Sequence, residues 1–230
     1  MCLVNASWTK ILSLIPHNQI KIFEYNNNKG VRKMIGVFQR AKAQQDVDNI
    51  VFRGRVIWRD IATWLSTYLM AKTLQAETEL LEQIKEKLFR IVADFGGIMR
   101  TFFGDKVADD YINLFSEYIM LMISLIDALV EGNSSVADEI VKQIYQSAGE
   151  RVELLTQINP FWAQNTLENY IYTFTDMTIQ EIMAFVSKRY RNSIDTYERI
   201  LSYSTSLGDF MAQGIKDYLI YNLKTFKTVE

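Results

Sequence analysis

Residues 105–131 read DKVADDYINLFSEYIMLMISLIDALVE, and this stretch decides the fold. Val107, Tyr111, Leu114, Tyr118, Leu121, Leu125 and Ala128 recur at alternating intervals of four and three. That rhythm follows the α-helical turn and puts all of them on one face. Ile112, Phe115, Ile119, Met122 and Ile126 trace a second apolar stripe beside the first. A helix with two apolar stripes is covered on more than one side, so it belongs at the centre of a bundle. Gly104 can take the left-handed conformation that closes a preceding helix, and Asp105 can cap the next. Gly132-Asn133-Ser134-Ser135 reads as a stop followed by a start, with Ser135 and Asp138 as the expected capping pair.

Outward from this helix the chain stays helical. Proline occurs only at Pro16 and Pro160, so little interrupts the backbone donors that helices need. The periodicity predicts helices over 52–75 and 78–103 upstream, with a break that carries neither glycine nor proline. Downstream it predicts a helix ending near Ile158, before Asn159-Pro160, then helices over 162–188 and 192–222. The expectation is an all-α, up-and-down bundle of about six helices, arranged as three tandem hairpins, 52–103, 105–158 and 162–222. The bundle domain spans 51–225, and residues 1–50 form a basic N-terminal extension. Within that extension, Gln19 to Tyr25 and Val31 to Phe38 around Asn26-Asn27-Asn28-Lys29-Gly30 are compatible with a β-hairpin. An extension without regular structure fits them equally.

The hairpins show an internal repeat. With a shift of 56 residues, Leu88 meets Ile144, Val92 meets Ala148, Asp94 meets Glu150, Met99 meets Leu155 and Phe102 meets Ile158. The helices that follow stay in step, with Tyr111 on Leu167, Phe115 on Ile171 and Tyr118 on Phe174. A further 56 residues bring Ile200, Ser204 and Met211 into the same register. Self-similarity at a fixed period is the signature of a duplicated supersecondary unit.

Composition limits the function. The chain of 230 residues is 49% hydrophobic and 23% charged, which is ordinary for a globular protein with a core. Its single cysteine, Cys2, permits neither an intramolecular disulfide framework nor a Cys-based zinc site. No uninterrupted apolar run approaches the ~18 residues of a spanning helix, and Ile11 to Ile15 is too short for a signal core. We therefore expect a cytoplasmic protein without a membrane span. Residues 1–57 hold nine Lys/Arg against three Asp/Glu, leaving sixteen against twenty-four in the rest. A basic arm can meet nucleic acid, and Arg53, Arg55 and Arg59 beside Phe52 and Trp58 could do so by charge and stacking. A basic outer face resting beside its own acidic bundle accounts for the same charges and is preferred.

Several motifs resemble a family. Trp58-Arg59-Asp60-Ile61-Ala62-Thr63-Trp64 resembles a Trp-x-x-His-x-x-Trp opening. Ala93-Asp94-Phe95 followed by Arg100-Thr101-Phe102-Phe103-Gly104 resembles a second helix, and Ile158-Asn159-Pro160-Phe161-Trp162 an Asn-Pro-Tyr-Trp junction. In order and spacing, over about residues 55–215, they resemble a group of small, uncharacterised all-helical proteins of spore-forming Firmicutes. Members often carry the name acetylglutamate kinase. The resemblance implies an acidic–His element on alternate helices, but the matching positions here read Asp60-Ile61, Glu117-Tyr118 and Thr173-Phe174. The chain's one histidine, His17, lies outside the resemblance.

Candidate chemistry is correspondingly sparse. A ferritin-like di-iron site needs carboxylates and Glu-x-x-His elements from several helices, and no Glu-x-x-His occurs. Nucleotide-dependent kinases need a phosphate cradle, and Gly96-Gly97 within a helical pattern suits close packing instead. We expect no catalytic residues, no cofactor and no bound metal. Asp60, Asp94, Glu117, Tyr118 and Glu150 are the best candidates for a pocket, with Tyr118 keeping a polar tip at a family histidine position. The favoured function is a non-catalytic bundle that binds a protein partner or assembles with itself. The alternatives are a ferritin-like bundle that holds a metal or small ligand, and nucleic-acid binding through the basic arm.

Overall fold

A computed structural model describes the backbone of residues 28–227 and the side chains of 49–222. The described residues form six helices: α1 (Asn28–Thr73), α2 (Thr78–Phe103), α3 (Asp105–Val130), α4 (Ser134–Ile158), α5 (Gln164–Val186) and α6 (Tyr190–Lys227). No strand occurs among them. The chain divides into two compact units, Met1–Gln45 and Asp46–Glu230. The first contains the opening turns of α1. All the packing discussed below lies within the second, an all-α up-and-down bundle.

Helix α1 starts well before the expected residue 52. Val31 to Phe38 is helical, not the second strand of a hairpin, and Val31, Ile35 and Phe38 follow the helical interval of four and three. The proposed first strand, Gln19 to Tyr25, lies outside the described residues. Two caps also differ from expectation. Gly104 occupies the cap position before α3 with φ 87°, which leaves Asp105 in the first turn. Asn133, not Ser135, precedes α4, and no side chain caps that helix.

Cross-helix contacts fix the topology. Along α1, Gly54 meets Gly208, Arg59 donates to the Leu201 carbonyl and Thr63 accepts from Tyr197. The rising and falling numbers show that α1 and α6 are antiparallel. Trp58 meets Phe174 and Ser66 meets Glu181, so α1 and α5 are parallel. Trp58 with Phe115 and Tyr68 with Asp127 make α1 parallel to α3. Tyr118 and Thr175 join α3 to α5. Helices α1, α3 and α5 thus run one way around a shared centre. Helix α2 packs against α3 through Phe95 and Tyr111, α4 against α5 through Tyr145 and Tyr172, and α6 against α5 through Tyr203 and Tyr170.

The three central helices end alike. Gln75 (φ 57°), Gly132 (φ 79°) and Lys188 (φ 59°) are left-handed. In each case the next residue's N–H reaches back to a helical carbonyl: Ala76 to Ala71, Asn133 to Ala128, and Arg189 to Ala184, each at 2.9 Å. This closure satisfies carbonyls that a helix end otherwise leaves open. It also turns the chain sharply into each antiparallel helix.

Burial follows the two stripes of α3, with the second deeper than the first. Phe115, Ile119, Met122 and Ile126 are fully buried, as are Tyr111 and Tyr118 of the first stripe, whereas Leu114 and Leu121 are half-buried at its edge. By length and composition alone α3 could cross a membrane. Its apolar faces are turned into the bundle core.

A buried arginine and its donors as candidate functional site

The five pocket candidates do not come together. Only Tyr118 is buried; Asp60 and Glu150 are half-buried, and Asp94 and Glu117 are exposed. Glu150 accepts a hydrogen bond from Gln146 on its own helix. The acidic members lie next to the inward positions in sequence, and on a helix one residue turns the side chain by roughly 100°. Ile61, Tyr118 and Phe174, the positions that the resemblance aligns with histidines, are all buried. Among the described residues no group of three or more His, Cys, Asp or Glu is placed to hold a metal ion.

A different group occupies the centre. Arg151 of α4 is 1% exposed; its guanidinium lies beside the Tyr111 and Tyr118 hydroxyls, but none of its three nitrogens reaches either with good hydrogen-bond geometry. Its Cζ lies 3.8 Å from the centre of the Tyr118 ring and 5.0 Å from that of Phe115. Trp58 lies 5.4 Å and Tyr111 5.6 Å from the same Phe115 ring. The Trp58 indole nitrogen is buried without a partner, and the Tyr111 hydroxyl lies beside Arg151 without good hydrogen-bond geometry. The hydroxyl of Ser147, one turn before Arg151 on α4, is also buried without a partner. Tyr118 differs in sharing a 3.2 Å hydrogen bond with Thr175. Burial pushes the Tyr111 and Tyr118 hydroxyls above the ordinary phenol range, and the charge and hydrogen bonding of neighbouring Arg151, with Thr175 at Tyr118, only partly oppose it. Both therefore stay protonated.

Energetics show what this cluster lacks. Removing an ion from water costs several kcal/mol even after the protein relaxes. A desolvated cation–π contact returns about 2 kcal/mol, which leaves a deficit. Native interiors close such a deficit with an opposite charge or with hydrogen bonds. Glu181 is the one carboxylate among the buried described residues, and it lies elsewhere, on α5 against α1. There it accepts a 2.6 Å hydrogen bond from Ser66. Burial raises its carboxyl to about 7, with Ser66 pulling the other way. The Arg151 cluster is thus rich in donors, carries one positive charge and has no acid or base within it. It offers no nucleophile paired with a base.

Sequence reasoning passed over Arg151 although a signal was present. Ile144, Ala148, Arg151 and Leu155 stand at intervals of four, three and four, so the arginine sits in the middle of an apolar stripe. With the shift of 56, Arg151 falls on Phe95 and, 56 later, on Leu207; all three are buried. A charge at a position that is otherwise apolar is the informative departure. Compared with family models, curated proteins and solved structures, the chain finds no match.

Proposed function

We propose that this chain is a non-catalytic binding protein whose helical bundle holds a small anion in its core against Arg151. The supporting observation is a fully buried guanidinium, stacked on the Tyr118 ring and beside the Tyr111 hydroxyl, that faces no carboxylate and makes no hydrogen bond of good geometry. This develops the small-ligand reading of the sequence and favours it over the metal-binding form. Calorimetric titration of the purified chain with chloride, phosphate, sulfate, acetate and benzoate tests it. At least one of them should bind to wild type at one per chain and fail to bind to Arg151→Met. If none binds, the proposal fails.

Self-assembly or docking of a partner protein is a second reading, favoured by one observation. The α1–α2, α3–α4 and α5–α6 turns share one end of the bundle, and Leu74, Leu80, Val136, Met183 and Ile194 are exposed near them. Exposed apolar residues gathered in one region often mark an interaction surface. A molar mass that rises with concentration in wild type, and stays monomeric in Leu74→Ser/Ile194→Ser, is the expected result for self-assembly. We also read the chain as a duplicated, divergent relative of the family it resembles. The like closures at Gln75, Gly132 and Lys188, spaced 57 and 56 residues apart, support the duplication.

A further inference from the structure

We infer that the outer edge of the α1–α6 seam is the surface on which two copies of this chain pair about a two-fold axis, apolar centre on apolar centre and acidic turn on basic turn. This rests on the self-assembly reading and names its surface. The register of the seam comes first. Arg59 donates to the Leu201 carbonyl, and Thr63 accepts from Tyr197. Further toward the turns, α1 carries Met70 and Leu74, and α6 carries Ile194 and Tyr190. Steps of three and four residues keep them on the two faces that meet across the seam. All four are exposed, Leu74 to 76% and Ile194 to 66%. Continuing the register brings Met70 level with Tyr190, so the four make one contiguous apolar patch, the mark of an interaction surface. The Tyr190 ring is held against Phe185, with 5.3 Å between ring centres. An aromatic side chain fixed in this way is the kind of anchor that interfaces use.

Charge identifies the occupant. On the α1 side, residues 74–81 contain Glu77 and Glu79 and no Lys or Arg. On the α6 side, residues 187–191 contain Lys188, Arg189 and Arg191 and no Asp or Glu. All five are exposed. None of them is in an ion pair among the described residues. A partner surface of one sign would suit one flank and repel the other. A patch with an apolar centre and one flank of each sign is complementary to itself, because a two-fold axis along the seam exchanges the flanks. The basic turn of each copy then lies on the acidic turn of the other. The α3–α4 turn has only acids, Glu131, Asp138 and Glu139. It lacks a flank of opposite sign and stays outside the contact.

Sedimentation velocity on the full chain, over a range of concentrations at low and high salt, tests the assignment. Wild type should form a dimer that weakens as salt rises. Glu77→Lys/Glu79→Lys makes both flanks basic, and Arg189→Glu/Arg191→Glu makes both acidic. Each should weaken self-association about 10-fold or more, since like charges then face each other. Mixed in equal amounts, the two variants should pair with one another, a rescue that damage to either fold would not give. Val136→Ser, on the α3–α4 turn, should leave the dimer intact. If wild type stays monomeric throughout, the self-assembly reading fails and this surface with it, and the patch belongs to a different protein. If wild type dimerises and both charge variants dimerise equally well, self-assembly stands and this surface is overturned. A dimer broken by Val136→Ser, or two folded charge variants that fail to pair when mixed, also overturns it. Far-ultraviolet circular dichroism checks each fold. Should a charge variant not fold, Leu74→Ser/Ile194→Ser decides, and an unchanged dimer there overturns the surface.

Discussion

Replacing Arg151 by methionine should make the ligand-free protein more stable. Methionine fills a similar length with apolar atoms, and the corresponding positions one repeat away, Phe95 and Leu207, are apolar and buried. The substitution forfeits the contact with Tyr118, about 2 kcal/mol. It also removes the larger cost of holding an unpaired guanidinium out of water, several kcal/mol. The net gain should be about 1–4 kcal/mol, the range seen when buried ionic groups give way to apolar ones of like volume. For a chain of this size each kcal/mol moves the midpoint about 2–4 °C, so a gain of about 2 kcal/mol raises it roughly 4–8 °C. Thermal melts in a dilute amine buffer, with millimolar chloride as the only anion, measure this. A variant that melts well below wild type in the anion-poor buffer refutes the reasoning, because the guanidinium would then contribute more than its burial costs.

Glu181 predicts a pH dependence. Its carboxyl sits at about 7 when folded against 4.5 ordinarily, so unfolding releases a proton between those values and stability falls as pH rises through that window. The loss is about 3 kcal/mol at roughly 1.4 kcal/mol per pH unit, complete above pH 7, and urea titrations of Glu181→Gln should show that slope flattened. Gly208→Ala should destabilise by about 1–3 kcal/mol or more, because an added Cβ would stand 2.7 Å from Gly54 C and Arg55 N; a neutral effect in urea titration would contradict the close crossing. Gln75→Gly and Lys188→Gly should each stabilise by about 0.5–1 kcal/mol by relieving a left-handed non-glycine residue, read from the shift in denaturation midpoint.

The helices were legible because their apolar stripes are long and strongly periodic, α3 above all. Boundaries were less so where the closing residue gives no compositional cue. Gly132 announces its turn, whereas Gln75 and Lys188 adopt the same backbone conformation without glycine. The start of α1 was hidden because its short stripe, Val31, Ile35 and Phe38, is interrupted by Arg32, Lys33 and Gly36 and also suits a strand after Asn28-Lys29-Gly30. The pocket candidates were chosen as carboxylates near helix faces, and Asp94 and Glu117 proved exposed because one step along a helix separates inside from outside. Arg151 was legible in principle, as the charged member of the stripe from Ile144 to Leu155. A lone arginine in an apolar stripe matches no metal-ligand or acid–base pattern, and its neighbours in space come from other helices.

The contact between Gly54 and Gly208 has a consequence for how the chain is made. Helices α1 and α6 touch backbone to backbone, and the Arg55–Asp209 ion pair beside that crossing, with one prong at 2.8 Å, joins residues 154 positions apart. During synthesis α1 emerges before α2 to α6, and the side of it that meets Gly208 stays uncovered until α6 has left the ribosome. The intermediate hairpins are local and form early, whereas closure of the ring must wait for a contact of long sequence separation, the kind that slows folding. Nascent chains stopped before Leu207 should therefore leave that flank of α1 uncovered and be the species most in need of a chaperone.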